Sequence, residues 1–337
     1  MLFTVLARRG ASRAGDNSRL ALSSGRRWIS TTKPAPMLVS PKELQQLLPS
    51  GQVSLLDATW FMPGTPRSPR EEHSKERIRG SQFLNLDEVA NQHELGLKHM
   101  MPSPRVFADA CEKLGIKPSS HVVIYDTHGV FSSPRALFMF RAFGHRNSSI
   151  LNGGLPLWEL EGHSIDNAPL EPVSKASYPV PQLDKEVIRS YEQVVSNSLS
   201  DPTTDSSIEL LVDARSRGRF LGTDPEPRPG MSSGHVPHSF SLPFNTFLKM
   251  HKDAPVPYTT FKSVPELKEA LKEAVGPDNA ESVIKGERKI VASCGSGMTA
   301  GVLWLGLKLL GTPDVAIYDE SWTGYASRSS SKIEKGT

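Results

Sequence analysis

Apolar residues fall along this chain in two kinds of block. Short apolar runs closed by polar residues read as buried strands: Val53–Ala58, His121–Asp126, Ser149–Leu151, Ile208–Arg215, Lys289–Ser293 and Ala316–Tyr318. Longer stretches with apolar residues at helical spacing lie between them. Pro104 to Gly115 carries Val106, Phe107, Ala110 and Leu114, and Val264 to Gly276 carries Leu267, Ala270, Leu271, Ala274 and Val275; each ends on glycine. Strands alternating with helices predict an α/β fold, with a parallel sheet covered by helices on both faces.

The blocks occur twice, in one order. Leu55-Leu56-Asp57-Ala58 returns as Leu211-Val212-Asp213-Ala214, 156 residues on. The strand ending at Asp126, its loop and the helix-like stretch Ser133–Gly144 return 168 residues later, around Cys294 and a helix closing at Gly311. The turn before Trp158 is matched by Tyr318-Asp319-Glu320-Ser321-Trp322. Such repetition predicts two tandem copies of one fold. The expected bounds are residues 37–168 for the first copy, an extended proline-rich linker over 169–184, the second copy over 185–328, and a frayed tail over 329–337. Gly222–Gly234, with three prolines and three glycines, reads as a long functional loop.

Cys294 stands where the second copy's strand meets its helix, opening Cys294-Gly295-Ser296-Gly297-Met298-Thr299-Ala300. Ligands of open parallel sheets bind at this end of the strands. Gly295 and Gly297 let the backbone fold tightly, so that successive N–H groups form a nest for an anion at a helix N-terminus. Ser296 and Thr299 can add hydroxyl donors, and no acidic residue lies between Cys294 and Lys308. These features favour a thiolate, the reactive form of cysteine. The first copy has Asp126 at the equivalent position, so sulfur chemistry is expected in the second copy only. Cys111 lies within a helical pattern and reads as core. A cysteine phosphatase would need arginine six residues after its nucleophile, where Ala300 stands. A Walker loop would need Gly-Lys-Ser/Thr, which does not follow here.

Charge is unevenly placed. The chain is formally +3, but residues 1–33 hold seven basic residues against Asp16; the rest has 32 basic and 35 acidic residues. A nucleic-acid partner therefore has no electrostatic support, and no apolar run approaches the roughly 20 residues that would span a bilayer. Residues 1–36, rich in Arg, Ser and Ala, have the composition of a mitochondrial presequence, with Arg26–Ser30 as the processing region. The expected location is the mitochondrial matrix, with room for a cytoplasmic pool. Two cysteines cannot build a disulfide framework, and no His/Cys/Asp set shows metal-ligand spacing, so neither metal nor cofactor is expected.

The tandem copies, Asp213-Ala214-Arg215 closing a strand, the loop Cys294–Ala300 and Tyr318-Asp319-Glu320-Ser321-Trp322 together resemble the rhodanese superfamily. Within it, Gly295-Ser296-Gly297 is similar to the two-domain 3-mercaptopyruvate sulfurtransferases rather than to thiosulfate-preferring relatives, which carry basic residues there. The resemblance spans about residues 40–328. It implies covalent catalysis by Cys294 through a persulfide, with Ser296 assisting and Gly295, Gly297, Met298 and Thr299 around the substrate. In Gly218-Arg219-Phe220 and Pro225-Glu226-Pro227-Arg228 it implies two guanidinium groups, Arg219 and Arg228, that hold a 2-oxo acid. Asp213 and Arg215 are expected to pair at the strand end. The implied donor is 3-mercaptopyruvate and the acceptor a thiol such as thioredoxin, or cyanide. A thiosulfate:cyanide sulfurtransferase and a persulfide carrier for a partner protein remain alternatives. One departure stands out. Arg77 occupies the place of a first-copy histidine in a Glu-Arg-His-Ile-Pro-Gly-like stretch, which leaves the proton donor open, with His73, water or the substrate's enol as candidates. His235, at the second copy's counterpart, reads as structural.

Overall fold

The structure, a computed structural model, describes residues 34–336 together with Met1 and Leu2. The presequence and its processing region lie outside the described residues, apart from residues 1–2 and 34–36. Two five-stranded parallel sheets form the frame. In the first, the spatial order is Leu38–Val39, Ser148–Leu151, His121–Tyr125, Val53–Asp57, Gln82–Phe83. In the second it is Ile188–Arg189, Val315–Tyr318, Ile290–Ser293, Leu210–Asp213, Phe240–Ser241. Numbered by chain position within each half, both sheets run 1-5-4-2-3, so the repeated sequence blocks correspond to repeated topology.

Alternate strand residues enter different cores, as a sheet covered on both faces requires. In the first half Leu55, Val123, Tyr125 and Leu151 pack outward with Leu44 and Trp158. In the second, Leu211, Val291, Ala316 and Tyr318 pack outward with Val194, Trp322 and Tyr325. The inner faces, including Leu56, Val122 and Ile124 of one sheet and Val212, Ile290 and Ala292 of the other, share one continuous core. The helices Ser133–Ala142 and Ala300–Leu309 meet in that core. Phe138 and Trp304 make an edge-to-face contact at 5.3 Å, a geometry that adds about 0.5–1.5 kcal/mol to simple burial. Gly301 permits the approach, since a Cβ there would lie 2.7 Å from the Arg135 backbone nitrogen. The loops preceding these helices, around Asp126 and Cys294, therefore both face the seam between the halves.

Each half covers the other's loop. From the second half, the hairpin Leu248–His251/Tyr258–Phe261 reaches over the Asp126 loop: Thr259 N–H donates to His128 O at 3.0 Å, and Val130 N–H to Thr259 Oγ1 at 3.0 Å. From the first half, the segment containing Asp87 and His99 reaches over the Cys294 loop.

Residues 167–184 contain no helix or strand, and Tyr178 anchors this stretch by burial beside Phe107 and a 2.8 Å hydrogen bond to His145. The tail corrects the reading of the sequence. It is strapped down rather than frayed: His235 and Glu334 exchange both backbone hydrogen bonds (2.8 and 3.0 Å), and Gly336 N–H donates to Leu221 O at 2.9 Å. Its polar composition gives little sign of this, because the strap is held mainly by backbone hydrogen bonds, with Ile333 packed against the outer core. No helix among the described residues is long and apolar enough to cross a membrane.

Candidate active site

Ile290–Ser293 is the central strand of the second sheet and is buried throughout. Its carboxyl end delivers Cys294, 1% exposed, to the seam. Gly297 N–H donates to Cys294 Sγ at 3.1 Å, and the Ser321 hydroxyl lies 4.0 Å from the sulfur while accepting from Cys294 N–H at 3.1 Å. The loop is held from behind. Trp322 N–H donates to Cys294 O and Thr323 N–H to Gly295 O, both at 2.9 Å. Gly297 has φ +85°, and a Cβ there would lie 2.7 Å from Asp319 O, so only glycine aims this N–H at the sulfur without strain. Ser321 takes φ +52° without being glycine, a conformation that costs energy and concentrates at working sites.

The first half shows what such a loop holds. Asp126, fully buried, accepts from the N–H groups of His128, Phe131, Ser132 and Ser133 and from the Ser133 hydroxyl, at 2.7–3.1 Å. A carboxylate in one copy thus fills the anion nest whose equivalent carries the sulfur in the other. Leu155 N–H bonds Asp126 O as Trp322 N–H bonds Cys294 O, which aligns Gly154 (φ +56°) with Ser321.

Both arginines reach the loop. A Cβ on Gly295 would lie 3.2 Å from Arg219 Nη2 and 3.8 Å from Arg228 Nη1. Arg219 is braced by Glu226, donating from Nε at 3.1 Å and from Nη2 at 2.5 Å. Glu226 also accepts from Arg215 Nη1 at 2.7 Å. Arg215 in turn pairs with Asp213 and lies over the Trp322 ring at 4.1 Å, so the expected Asp213–Arg215 pairing is present as part of a larger buried network. Among the described residues Arg228 has no carboxylate partner, which leaves its charge for a ligand.

Ser296 and Thr299 stand on the partly accessible side of the loop. Met298, like Cys294, is buried, and its side chain packs in the central core. The apolar side chain next to the interdomain helix has core to fill. Cys111 is buried, and that burial pushes its thiol well above the ordinary range.

Opposite the loop stands His99. Its Nε2 lies 3.0 Å from Ser296 Oγ, and its Nδ1 lies 2.8 Å from Asp87 Oδ1. A carboxylate only accepts, so Nδ1 carries a proton, and Nε2 faces the Ser296 hydroxyl. Burial pushes the Asp87 carboxyl upward, but the hydrogen bonds and charge of its surroundings, His99 foremost, outweigh this and hold it below its usual value. Trp60 donates to Asp87 at 3.2 Å and packs edge-on against His99 at 5.3 Å.

The sequence leaves the proton donor open at Arg77, and the structure gives Arg77 and His73 other partners. Arg77 is 3% exposed, pairs with Asp166 at 3.0 Å and donates to Ala168 O at 2.7 Å, a structural arrangement. His73 is held by Asp57 at 3.0 Å within the first half. His99 was missed because its segment has neither strand nor helix periodicity. The one local signal was His99-Met100-Met101-Pro102 just before a capped helix start, Ser103-Pro104, where apolar neighbours bury an imidazole. His235 stacks on Phe220 at 4.0 Å and bonds its carbonyl at 2.9 Å, as a structural residue would.

Known proteins bear on this geometry. The rhodanese-like domain family matches residues 40–161 and again 193–328. Thiosulfate sulfurtransferase of Bos taurus is 38% identical over 85% of this chain and 90% of its own length. Thiosulfate/3-mercaptopyruvate sulfurtransferase 1, mitochondrial, of Arabidopsis thaliana is 33% identical over 98% of this chain and 85% of its own. The cryo-EM structure of the yeast mitochondrial complex I sub-stoichiometric sulfur transferase subunit superposes with a TM-score of 0.76 at 33% identity, covering 90% of this chain and all of that one.

Proposed function

The chain belongs to the rhodanese-like family, and from that premise we propose that it is a sulfurtransferase moving sulfur from 3-mercaptopyruvate to a thiol acceptor or cyanide through a persulfide on Cys294. The observation that carries this reading is the convergence of Arg219 and Arg228 on Gly295, at 3.2 and 3.8 Å from where a Cβ would sit, beside a sulfur that accepts the Gly297 N–H. Two planar forks suit the carboxylate and keto oxygen of a 2-oxo acid.

The thiolate of Cys294 attacks the substrate sulfur. The carbon–sulfur bond breaks, its electron pair passes to the pyruvate enolate, and the sulfur stays on Cys294. The guanidinium groups stabilise the developing oxyanion. Ser296, His99 and Asp87 form the proton path: the relay takes the proton of the substrate thiol and returns it to the enolate carbon. An acceptor thiol then removes the outer sulfur, as in a ping-pong scheme. Thiosulfate would load the same cysteine and release sulfite, with no carbon to protonate.

Steady-state kinetics with both donors at matched concentration tests the reading, together with intact-protein mass spectrometry after donor treatment. A larger kcat/KM for mercaptopyruvate, and one added sulfur atom on Cys294 that acceptor removes, are the expected results. A preference for thiosulfate would make the chain a thiosulfate:cyanide sulfurtransferase. Loading without turnover on small molecules would make it a carrier for a partner protein. Residues 1–36 serve as a mitochondrial matrix address in this reading; fused to a fluorescent protein, they should direct it there. The repeat units are set at 37–168 and 185–328, and limited proteolysis should cut first within 169–184.

A further inference from the structure

We propose that Arg135, on the non-catalytic half, and Asp319, on the catalytic half, form a latch that keeps the His99 ring in register with Ser296, making Arg135 a positioning residue for the proton step. The inference rests on the reading of Ser296, His99 and Asp87 as the proton path.

Arg135 lies in the first turn of Ser133–Ala142 and is 2% exposed. Its Nη2 donates to the backbone carbonyl of His99 at 2.8 Å and to Asp319 Oδ1 at 2.5 Å. The other Asp319 oxygen accepts the N–H of Met101 at 2.8 Å. The peptide groups on both sides of Met100, the first of them carrying the His99 carbonyl, are therefore tied to one ion pair. His99 needs such a tie, because its φ of +46° is a conformation that a side chain other than glycine holds only under outside restraint.

The same pair touches the catalytic loop. Asp319 directly follows Val315–Tyr318, the neighbour of the strand that delivers Cys294. Its carbonyl lies 2.7 Å, and Arg135 Nη1 lies 3.5 Å, from where a Cβ on Gly297 would be. Nη1 is buried and has no hydrogen-bond partner. A guanidinium whose function was only to join the halves would have its buried donors satisfied. Here one face holds the histidine's backbone, while the opposite nitrogen rests against the loop residue that donates to the sulfur.

This placement has a selective consequence. With mercaptopyruvate the leaving group is a carbanion equivalent that must gain a proton. With thiosulfate it is sulfite, which leaves as a stable anion. A latch that sets the relay should matter for the first donor and little for the second. The substrate forks, Arg219 and Arg228, are separate from it, so KM for mercaptopyruvate should change little.

The test compares Arg135→Lys, Asp319→Asn and His99→Asn in the full chain, with kcat and KM for both donors. Arg135→Lys keeps the charge but loses the fork; Asp319→Asn keeps the volume. Each should lower kcat for mercaptopyruvate about tenfold or more, within the range of general acid–base contributions, with KM within about twofold and thiosulfate turnover within about twofold. The thiosulfate rate in the same samples reports that the loop is folded. Equal losses on both donors in Arg135→Lys and Asp319→Asn would mean a merely structural ion pair and overturn the proposal, as would no loss on either. If His99→Asn itself spares mercaptopyruvate turnover, the proton-path reading fails and the latch fails with it. A selective His99→Asn beside an unselective Arg135→Lys would overturn the latch alone.

Discussion

His99 Nε2 and Ser296 Oγ lie 3.0 Å apart although 197 residues separate them, one from each half of the chain. Neither half alone holds both the sulfur and the His99–Asp87 pair. The second copy has the cysteine and the arginines, and the first copy, whose own loop is occupied by Asp126, supplies His99 and Asp87. Replacing Ser296 with alanine, which interrupts the path while leaving the loop backbone intact, should lower mercaptopyruvate kcat by about 10²-fold. Thiosulfate turnover should stay near wild type, since sulfite needs no proton to leave. Stopped-flow measurement of pyruvate and sulfite release separates the two; a matched fall in both would remove Ser296 from the proton path.

What the sequence disclosed and what it hid divide along one physical line. The strand before Cys294, its glycine loop and the following helix are local features, and so are their counterparts around Asp126. Periodicity and turn chemistry report local structure directly. The paired offsets then gave the tandem fold, and motif context gave Arg219 and Arg228. His99, Arg135 and the tail act across the seam or through backbone groups. Their positions follow from how the two copies face each other through the helices Ser133–Ala142 and Ala300–Leu309, and no pattern near His99 encodes its distance from Ser296. Met298 shows that a motif position can also fill core: its side chain packs there beside Cys294.

Arg219 and Arg228 stand differently toward Glu226, so their variants should differ. Arg219 shares Glu226 with Arg215, and the Glu226 side chain is fully buried. Arg219→Ala should raise KM and also lower stability, by about 1–3 kcal/mol, because a buried carboxylate loses one of two partners. Arg228→Ala removes a charge without a carboxylate partner among the described residues. It should raise KM for mercaptopyruvate by about tenfold or more, with the midpoint of urea unfolding unchanged. Urea titrations beside initial-rate kinetics check both; an Arg228→Ala variant with unaltered KM would take Arg228 out of substrate binding.

The C-terminal strap holds both ends of the loop that carries Glu226 and Arg228. Gly336 N–H meets Leu221 O at one end, and Glu334 pairs with His235 at the other. A chain ending at Ser331 should keep its fold, since the outer core of the second half is built mainly from Val194, Leu211, Val291, Trp322 and Tyr325. Its loop should open more often, giving a mercaptopyruvate KM several-fold higher and faster amide exchange over residues 222–234. Exchange rates there equal to those of the full chain would show that the loop is set without the strap.

Burial pushes His145 down to about 4. Its Nε2 faces Ser120 O at 3.0 Å, so that nitrogen carries the proton, and Nδ1 accepts from Tyr178 Oη at 2.8 Å. The folded protein therefore keeps the ring neutral, whereas the unfolded chain protonates it near pH 6.5. Between those values the unfolded state binds more protons, so stability rises with pH across the window and is lost on acidification from 6.5 to 4. The full loss for this one group is about 3 kcal/mol. Urea unfolding at pH 7 and pH 5 should show most of that slope in the wild type and much less in His145→Gln. An unchanged slope in the variant would assign the acid sensitivity to other groups.

Asp126 tests the idea that these loops are anion nests. Its carboxylate accepts from four backbone N–H groups and one hydroxyl, and it is fully buried. Asp126→Ala would leave those donors facing a cavity sealed by Thr259, whose backbone packs against Gly129. The cost should be about 3–5 kcal/mol, the range for removing one side of a buried charged network. Asp126→Asn keeps the shape but loses the charge and one acceptor, and should fall between. Neither change touches the sulfur loop, so persulfide loading per folded molecule should be unaltered at 25 °C. Urea unfolding followed by tryptophan fluorescence, with loading measured on the same samples, decides the matter. An Asp126→Ala protein as stable as the wild type would show that the first loop holds its shape without an anion, and the parallel between the two nests would lose its basis.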